Sequence, residues 1–169
     1  MIFYIADMHL FHENILRLSN RSFNTIEEMN QAIIDNWNAK VSDNDTVYIL
    51  GDISLGWTQE VIKILKTLKG KKVLVIGNHD HKSLKNAEYR ELFEEIVPYK
   101  EIVDEGRRVI LFHYPIEEWN GFFRDSIHLY GHVHINDGNL NPIKNRYNVG
   151  VDRLNFQPCT LTEIISLNN

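Results

Sequence analysis

The stretch Val73-Leu74-Val75-Ile76, followed by Gly77-Asn78-His79-Asp80, constrains the fold more than any other part of this chain. A β-branched apolar run reads as a buried strand, and glycine directly after it reads as a sharp turn. Three side chains able to hold a metal or move a proton then leave the strand at its carboxyl end, where ligand sites collect. Asn, Gly and Asp are also ordinary turn formers, so one such tetrapeptide carries little weight alone. The same event recurs four more times.

The run from residue 2 to residue 6 reads as a first strand and ends in Asp7-Met8-His9, with His12 close behind. Thr46-Val47-Tyr48-Ile49-Leu50 reads as the second and runs straight into Gly51-Asp52. Between them, Thr25-x-x-Glu28 fits a capping box, followed by Met29, Ile33, Ile34 and Trp37 at helical spacing. Thr58 can cap another amphipathic helix, with Val61, Ile62, Leu65 and Leu68 on its apolar side and a stop at Gly70. Residues 83–95 read as a polar helical stretch anchored by Leu84, Leu92 and Phe93. Strand and helix alternating in this way predict a parallel sheet.

After Pro98 the character changes. Residues 99–103, the turn Asp104-Glu105-Gly106-Arg107 and residues 108–112 read as a hairpin whose second arm ends at His113-Tyr114-Pro115. Ile127-His128-Leu129-Tyr130 reads as a further strand, ending in Gly131-His132-Val133-His134. A loop rich in Asn, Gly and Pro over 136–145 leads to a last strand over 146–151. No repeat or linker interrupts the pattern, which predicts a single domain over 1–169 with a mixed sheet.

Composition narrows the function classes. With 43% hydrophobic and 24% charged residues, 169 residues suffice for a substantial core. A net charge of −5 points away from extended nucleic acid or a membrane surface as partner. Cys159 is the one cysteine, so no internal disulfide can form, which suits a reducing compartment. The apolar N-terminus stops at Asp7 without the basic region of a signal peptide, and no run approaches the ~20 apolar residues of a membrane span. A cytoplasmic location is the expectation.

The strand ends carry Asp7 and His9, Asp52, Asn78 and His79, His113, and His132 and His134, which accounts for five of the eight histidines. Taken singly, each is an ordinary loop or core residue. Together on one sheet edge, imidazoles and carboxylates would repel or desolvate one another unless cations lay between them. The absence of thiolates disfavours structural zinc or an iron–sulfur cluster, whereas imidazole, carboxylate and amide oxygen suit manganese, iron, zinc, cobalt or nickel. Seven candidate ligands exceed the need of one ion and suit two. Two ions roughly 3.5–4 Å apart are the standard device for in-line attack at phosphorus.

Asp7-x-His9, Gly51-Asp52, Gly77-Asn78-His79-Asp80, His113 and Gly131-His132-x-His134, in that order, resemble the complete motif set of the calcineurin-like metallophosphoesterases. Residues 2–10 and Asn148-Val149-Gly150-Val151-Asp152 also resemble a small, cap-less bacterial and phage subgroup. The resemblance implies an α/β fold (α+β in some schemes) of four layers, αββα, in which two mixed sheets pack together and helices flank them. It implies two divalent metal ions, manganese first and iron, zinc, nickel or cobalt as alternatives. Asp7, His9 and His134 would bind the first, Asn78, His113 and His132 the second, and Asp52 both. It further implies a metal-bound hydroxide as nucleophile, His79 as the general acid at the leaving group or a stabiliser of charge on the phosphoryl oxygens, and Asp80 as the hydrogen-bond acceptor orienting His79.

The expected function is hydrolysis of phosphodiesters or phosphomonoesters, with small phosphoesters such as nucleotides as substrates. The expectation from another class is a non-catalytic binding or scaffold protein, or a nucleotide sensor, on the same fold. Intact ligand positions and His79 argue against it. His12, Asn14 and His81 neighbour motif residues and could touch substrate, although loop solvation explains each as well. Trp57, Tyr114, Trp119 and Phe122 could line a pocket for a nucleobase or aryl group, with packing as the plainer reading of each. Arg124 could grip a phosphate or form a surface ion pair. Cys159 is assigned no role.

Overall fold

Three β-branched runs become three parallel strands whose carboxyl ends point the same way. In the computed structural model, which describes residues 1–56, 58–134 and 143–168, β1 (Ile2–Ile5), β2 (Thr46–Ile49) and β3 (Lys71–Val75) lie side by side, and β4 (Glu95–Val97) closes the row. The order is β1-β2-β3-β4, parallel throughout, with Phe3 beside Val47 and Ile49 beside Leu74. β4 falls where the sequence predicts the end of a helical stretch. Only a 3-10 turn (Ser83–Lys85) and the single-turn α4 (Ala87–Arg90) form there.

The remaining strands make a second sheet in the order β5-β6-β7-β8. β5 (Lys100–Asp104) and β6 (Arg107–Leu111) are the expected hairpin. β7 (Ile127–Tyr130) and β8 (Arg146–Asn148) add in parallel, so this sheet is the mixed one. The single mixed sheet of the pattern reading is thus two sheets among the described residues, one parallel and one mixed. They form the α/β architecture of packed sheets with flanking helices.

Alternation along β1 to β3 divides the core. Phe3, Ile5, Val47, Ile49 and Leu74 face the helices, while Tyr4, Tyr48, Val73 and Val75 face the second sheet and meet Val109, Leu111, Ile127 and Leu129. The helical side is covered by α1 (Asn14–Leu18), α2 (Ile26–Lys40), α3 (Thr58–Thr67) and α4. Trp37 of α2 is fully buried and donates its indole N–H to the Lys69 carbonyl at 2.9 Å. Its truncation to alanine should cost roughly 3–5 kcal/mol. The C-terminal α5 (Leu161–Leu167), which the pattern reading omits, puts Leu161 and Ile164 between the sheets behind a Thr160–Glu163 capping box.

Two helix signals need correction in detail. Thr25 does cap the Glu28 amide at 3.1 Å, but the Glu28 carboxylate reaches the Asn24 amide, one residue outside a reciprocal box. Thr58 is the first residue of α3, its hydroxyl 3.2 Å from that of Ser83. After β8 the chain crosses back to the first sheet. Ala6 donates to the Val149 carbonyl at 2.8 Å and accepts from Val151 at 3.0 Å. That crossing brings the carboxyl ends of strands from both sheets to one edge.

Candidate metal centre

Each strand breaks sharply where the ligand residues begin. Asp7, His9, Asp52, His132 and His134 all have left-handed backbone, with φ of 56, 50, 55, 73 and 46°. Such conformations cost roughly 1–2 kcal/mol per non-glycine residue, so the surrounding packing must impose them. Gly51 shows how tight that packing is. At φ +85°, a Cβ there would lie 2.6 Å from the Gly77 backbone and 2.7 Å from His113 Nδ1.

The turns gather two groups. Ligand atoms of Asp7, His9 and His134 lie within 4.8 Å of one another, as do those of Asp52, His113 and His132. Asn78 joins the second group, its Oδ1 3.0 Å from His113 Nε2. His113 Nδ1 donates to the Leu50 carbonyl at 2.7 Å, which directs Nε2 inward. Asp52 stands between the groups: Oδ2 is 3.7 Å from His9 Nε2, 3.4 Å from His113 Nε2 and 3.9 Å from His79 Nε2.

The donor set fits divalent cations. Both ring nitrogens of buried His9 lack a hydrogen-bond partner among the described residues, a loss of roughly 1–3 kcal/mol for each stranded polar group. Burial lowers the pKa of His9 to about 2, so the ring is neutral and offers a lone pair rather than an ion pair to Asp52. Burial also pushes the Asp7 carboxyl up to about 7 against the pull of His113 and His134, the mark of a carboxylate short of positive charge. At His113 burial works downward, but the Asp52 hydrogen bond and the charges of Asp7 and Asp52 prevail and raise the pKa to about 9. A proton there occupies the lone pair that a cation would use.

The calcineurin-like phosphoesterase family model matches residues 1–153, nine-tenths of the chain. The chain belongs to the calcineurin-like phosphoesterase family. An uncharacterized protein of Methanocaldococcus jannaschii is 34% identical over 172 residues, covering 98% of this chain and 90% of its own. The gene 66 protein of Mycobacterium phage L5 is 35% identical over 80 residues, 46% of this chain and 38% of that one. Among solved structures, a protein of unknown function from Aquifex aeolicus superposes with a TM-score of 0.76 at 31% identity, covering 99% of this chain and 98% of that one. An archaeal phosphodiesterase shares the fold, with a TM-score of 0.53 at 16% identity, covering 88% and 81%. Family and ligand groups together support a metal-dependent phosphoesterase in general terms.

In this calcineurin-like phosphoesterase all seven expected ligands converge, and His79 stands at the rim with its side chain 37% exposed. Asp80 corrects the sequence reading. Among the described residues its carboxylate makes no hydrogen bond with the His79 ring and instead accepts three backbone amides, those of Asp52, Ile53 and Gly77, at 3.0, 3.1 and 2.8 Å. Adjacent side chains leave a turn in different directions, and Asp80 turns inward as a staple between two loops.

Of the aromatic candidates, Tyr114 lies edge-on to His132 at 4.7 Å. Trp119 is buried against His128 with its N–H on Ser126, and Phe122 packs on Trp119, so both belong to the covering of the second sheet. Trp57 and positions 136–142 of the expected loop lie outside the described residues. His81 and Arg124 are exposed, and Asn14 opens α1. His12 lies 5.5 Å from His9, ring to ring, with a buried Nδ1 lacking a partner among the described residues. The sequence reading passes over Arg21 altogether and meets Asp152 only within the subgroup string. A polar loop arginine carries no periodic signal, and only its burial reveals it.

Proposed function

We propose that the protein is a dinuclear metal-dependent phosphoesterase acting on small phosphodiesters or phosphomonoesters, nucleotide-type esters among them. The observation that carries this reading is the position of Asp52, whose Oδ2 faces His9 of one ligand group and His113 of the other within 3.7 Å. Asp7, His9 and His134 would hold one cation, Asn78, His113 and His132 the second, and Asp52 both. When bound, two such ions supply Lewis acidity to the phosphoryl oxygens and lower the pKa of water towards neutrality. Manganese is the first choice from ligand chemistry, with iron, zinc, nickel and cobalt compatible.

The chain's own contribution is order and a proton. The His79 amide donates to Asp52 Oδ1 at 2.9 Å, which ties the turn carrying the imidazole to the shared carboxylate. The ring itself is half-exposed, so it can meet a leaving-group oxygen from the solvent side and donate a proton as the P–O bond breaks. Asp80 acts on the frame by fixing the Asp52 and Gly77 loops. The working picture is one domain in the cytoplasm, consistent with no helix of the described residues being long and apolar enough to cross a membrane.

The test is hydrolysis of bis-p-nitrophenyl phosphate by metal-stripped protein with and without added Mn²⁺, beside His79→Ala. Metal-dependent turnover supports the reading; in the variant it should fall only slightly with this ester, whose p-nitrophenolate leaves without a proton. No turnover of this ester or of p-nitrophenyl phosphate with Mn²⁺, Fe²⁺, Co²⁺, Ni²⁺ or Zn²⁺ would overturn it.

A further inference from the structure

Arg21 is an arginine in the interior, its side chain fully buried, with every guanidinium nitrogen engaged. Nε and Nη2 grip Asp152 in a fork, at 2.7 Å to Oδ1 and 3.1 Å to Oδ2. Nη2 also donates to the Asp7 carbonyl at 2.8 Å, and Nη1 donates to the Met8 carbonyl at 2.9 Å. Asp152 Oδ2 in turn lies 3.0 Å from His134 Nδ1. Burying such a pair costs several kcal/mol per ion before the attraction is counted, and apolar residues of similar volume often stabilise as well. Stability alone is a poor reason for it. What the pair touches gives a better one: both sides of the Asp7, His9 and His134 group, and neither side of the other.

We propose that Arg21 and Asp152 are positioning residues for the first cation site. Asp152 holds the His134 proton on Nδ1 and so turns the Nε2 lone pair into the group. Arg21 ties the left-handed turn from Asp7 to His9 to that same carboxylate. The inference rests on the reading that this group holds a cation. A carboxylate behind an imidazole fixes its tautomer and raises its basicity as a ligand. The corresponding support in the second group is the neutral Leu50 carbonyl behind His113. The imidazole supports of the two sites therefore come from different parts of the chain, so a change at Asp152 should act first on the site that holds His134.

The experiment combines Mn²⁺ binding, followed by electron paramagnetic resonance of the free ion, with ¹⁵N resonance of the His134 ring in metal-free protein. Wild type, Asp152→Asn and Arg21→Lys are compared. The expected result is two Mn²⁺ per wild-type chain, with Asp152→Asn weakening one site roughly 10- to 100-fold and the other less. Arg21→Lys, which keeps the charge but loses the fork, should weaken the same site less. In metal-free wild type the His134 ring should carry its proton on Nδ1, a measurement that needs no variant to fold. An Nε2–H tautomer there, or Asp152→Asn binding both ions with wild-type affinity, would overturn the inference. Wild type that binds no divalent cation would instead overturn the dinuclear reading beneath it.

Discussion

Asp80 holds the backbone of Asp52: its Oδ2 accepts the Asp52 amide at 3.0 Å, and it reaches Gly77 on the neighbouring loop with the same oxygen at 2.8 Å. Hydrogen bonds to a buried charge are worth about 1.5–3 kcal/mol each and do not simply add. Asp80→Ala should therefore lower unfolding free energy by roughly 3–5 kcal/mol in urea titration. His79→Ala, at a half-exposed rim, should stay within about 0.5 kcal/mol of wild type. Equal losses in the two variants would contradict the staple.

A proton donor matters most where the leaving group is poor. His79→Ala should reduce kcat little for p-nitrophenyl esters and by roughly 10²–10⁴ for alkyl esters, whose alkoxides need protonation. A series of esters of graded leaving-group pKa measures this directly. A loss independent of the leaving group would make His79 a charge stabiliser instead.

His113 must surrender a proton before its Nε2 can bind a cation. With its pKa raised to about 9, loading Mn²⁺ at pH 7.5 should release about one proton per chain. Calorimetry in two buffers of different ionisation enthalpy reads the count. The same shift means that His113 stabilises the metal-free fold. That contribution is complete below about pH 6.5 and disappears as pH rises through about 9. Binding heats that do not depend on the buffer would refute this.

His128 behaves in the opposite sense. Burial outweighs its contacts with the Ile110 and Tyr114 carbonyls and lowers its pKa to about 4. Its neutral form is therefore required, and stability present above about pH 6.5 is lost as pH falls towards 4. Between pH 7.5 and pH 5 the loss attributable to this ring should be about 2 kcal/mol. His128→Asn should unfold more easily at pH 7.5 yet show a smaller drop between the two pH values. An unchanged drop would acquit His128.

Gly131→Ala offers a steric test of the first ligand group. A Cβ at this position would collide with Asp7 Oδ2 and lie 2.7 Å from the Ala6 Cβ. The variant should lose at least tenfold in metal affinity at that site, by analogy with changes to the residues that orient a ligand. Atomic absorption after gel filtration would show it. Two ions retained as tightly as in wild type would mean that Asp7 is not needed.

The ligand residues are legible in the sequence because they cluster just past strand ends, and burial on both faces makes those strands largely apolar, His128 in β7 being the exception. β4 is not legible, since three half-buried residues after a polar stretch make no pattern. α5 carries a readable start in Thr160 and Glu163, but its seven residues are too few for helical periodicity. Arg21 and Asp152 are 131 positions apart, and only the closed fold shows that they meet. Adjacency misleads at Asp80, where the neighbour in sequence is not the partner in space.

The crossing from β8 back to Ala6 also decides when the centre can exist. Asp7 leaves the ribosome 127 residues before His134, and Asp52 precedes His132 by 80. At about 5–20 residues per second, roughly 6–25 s of synthesis separate Asp7 from His134. Five of the seven expected ligands precede His132, but neither group is complete until residues 132–134 have been made. Full chelation by both groups therefore waits for the crossing that follows β8, so the metal acquired should be set by the pool that the folded domain meets.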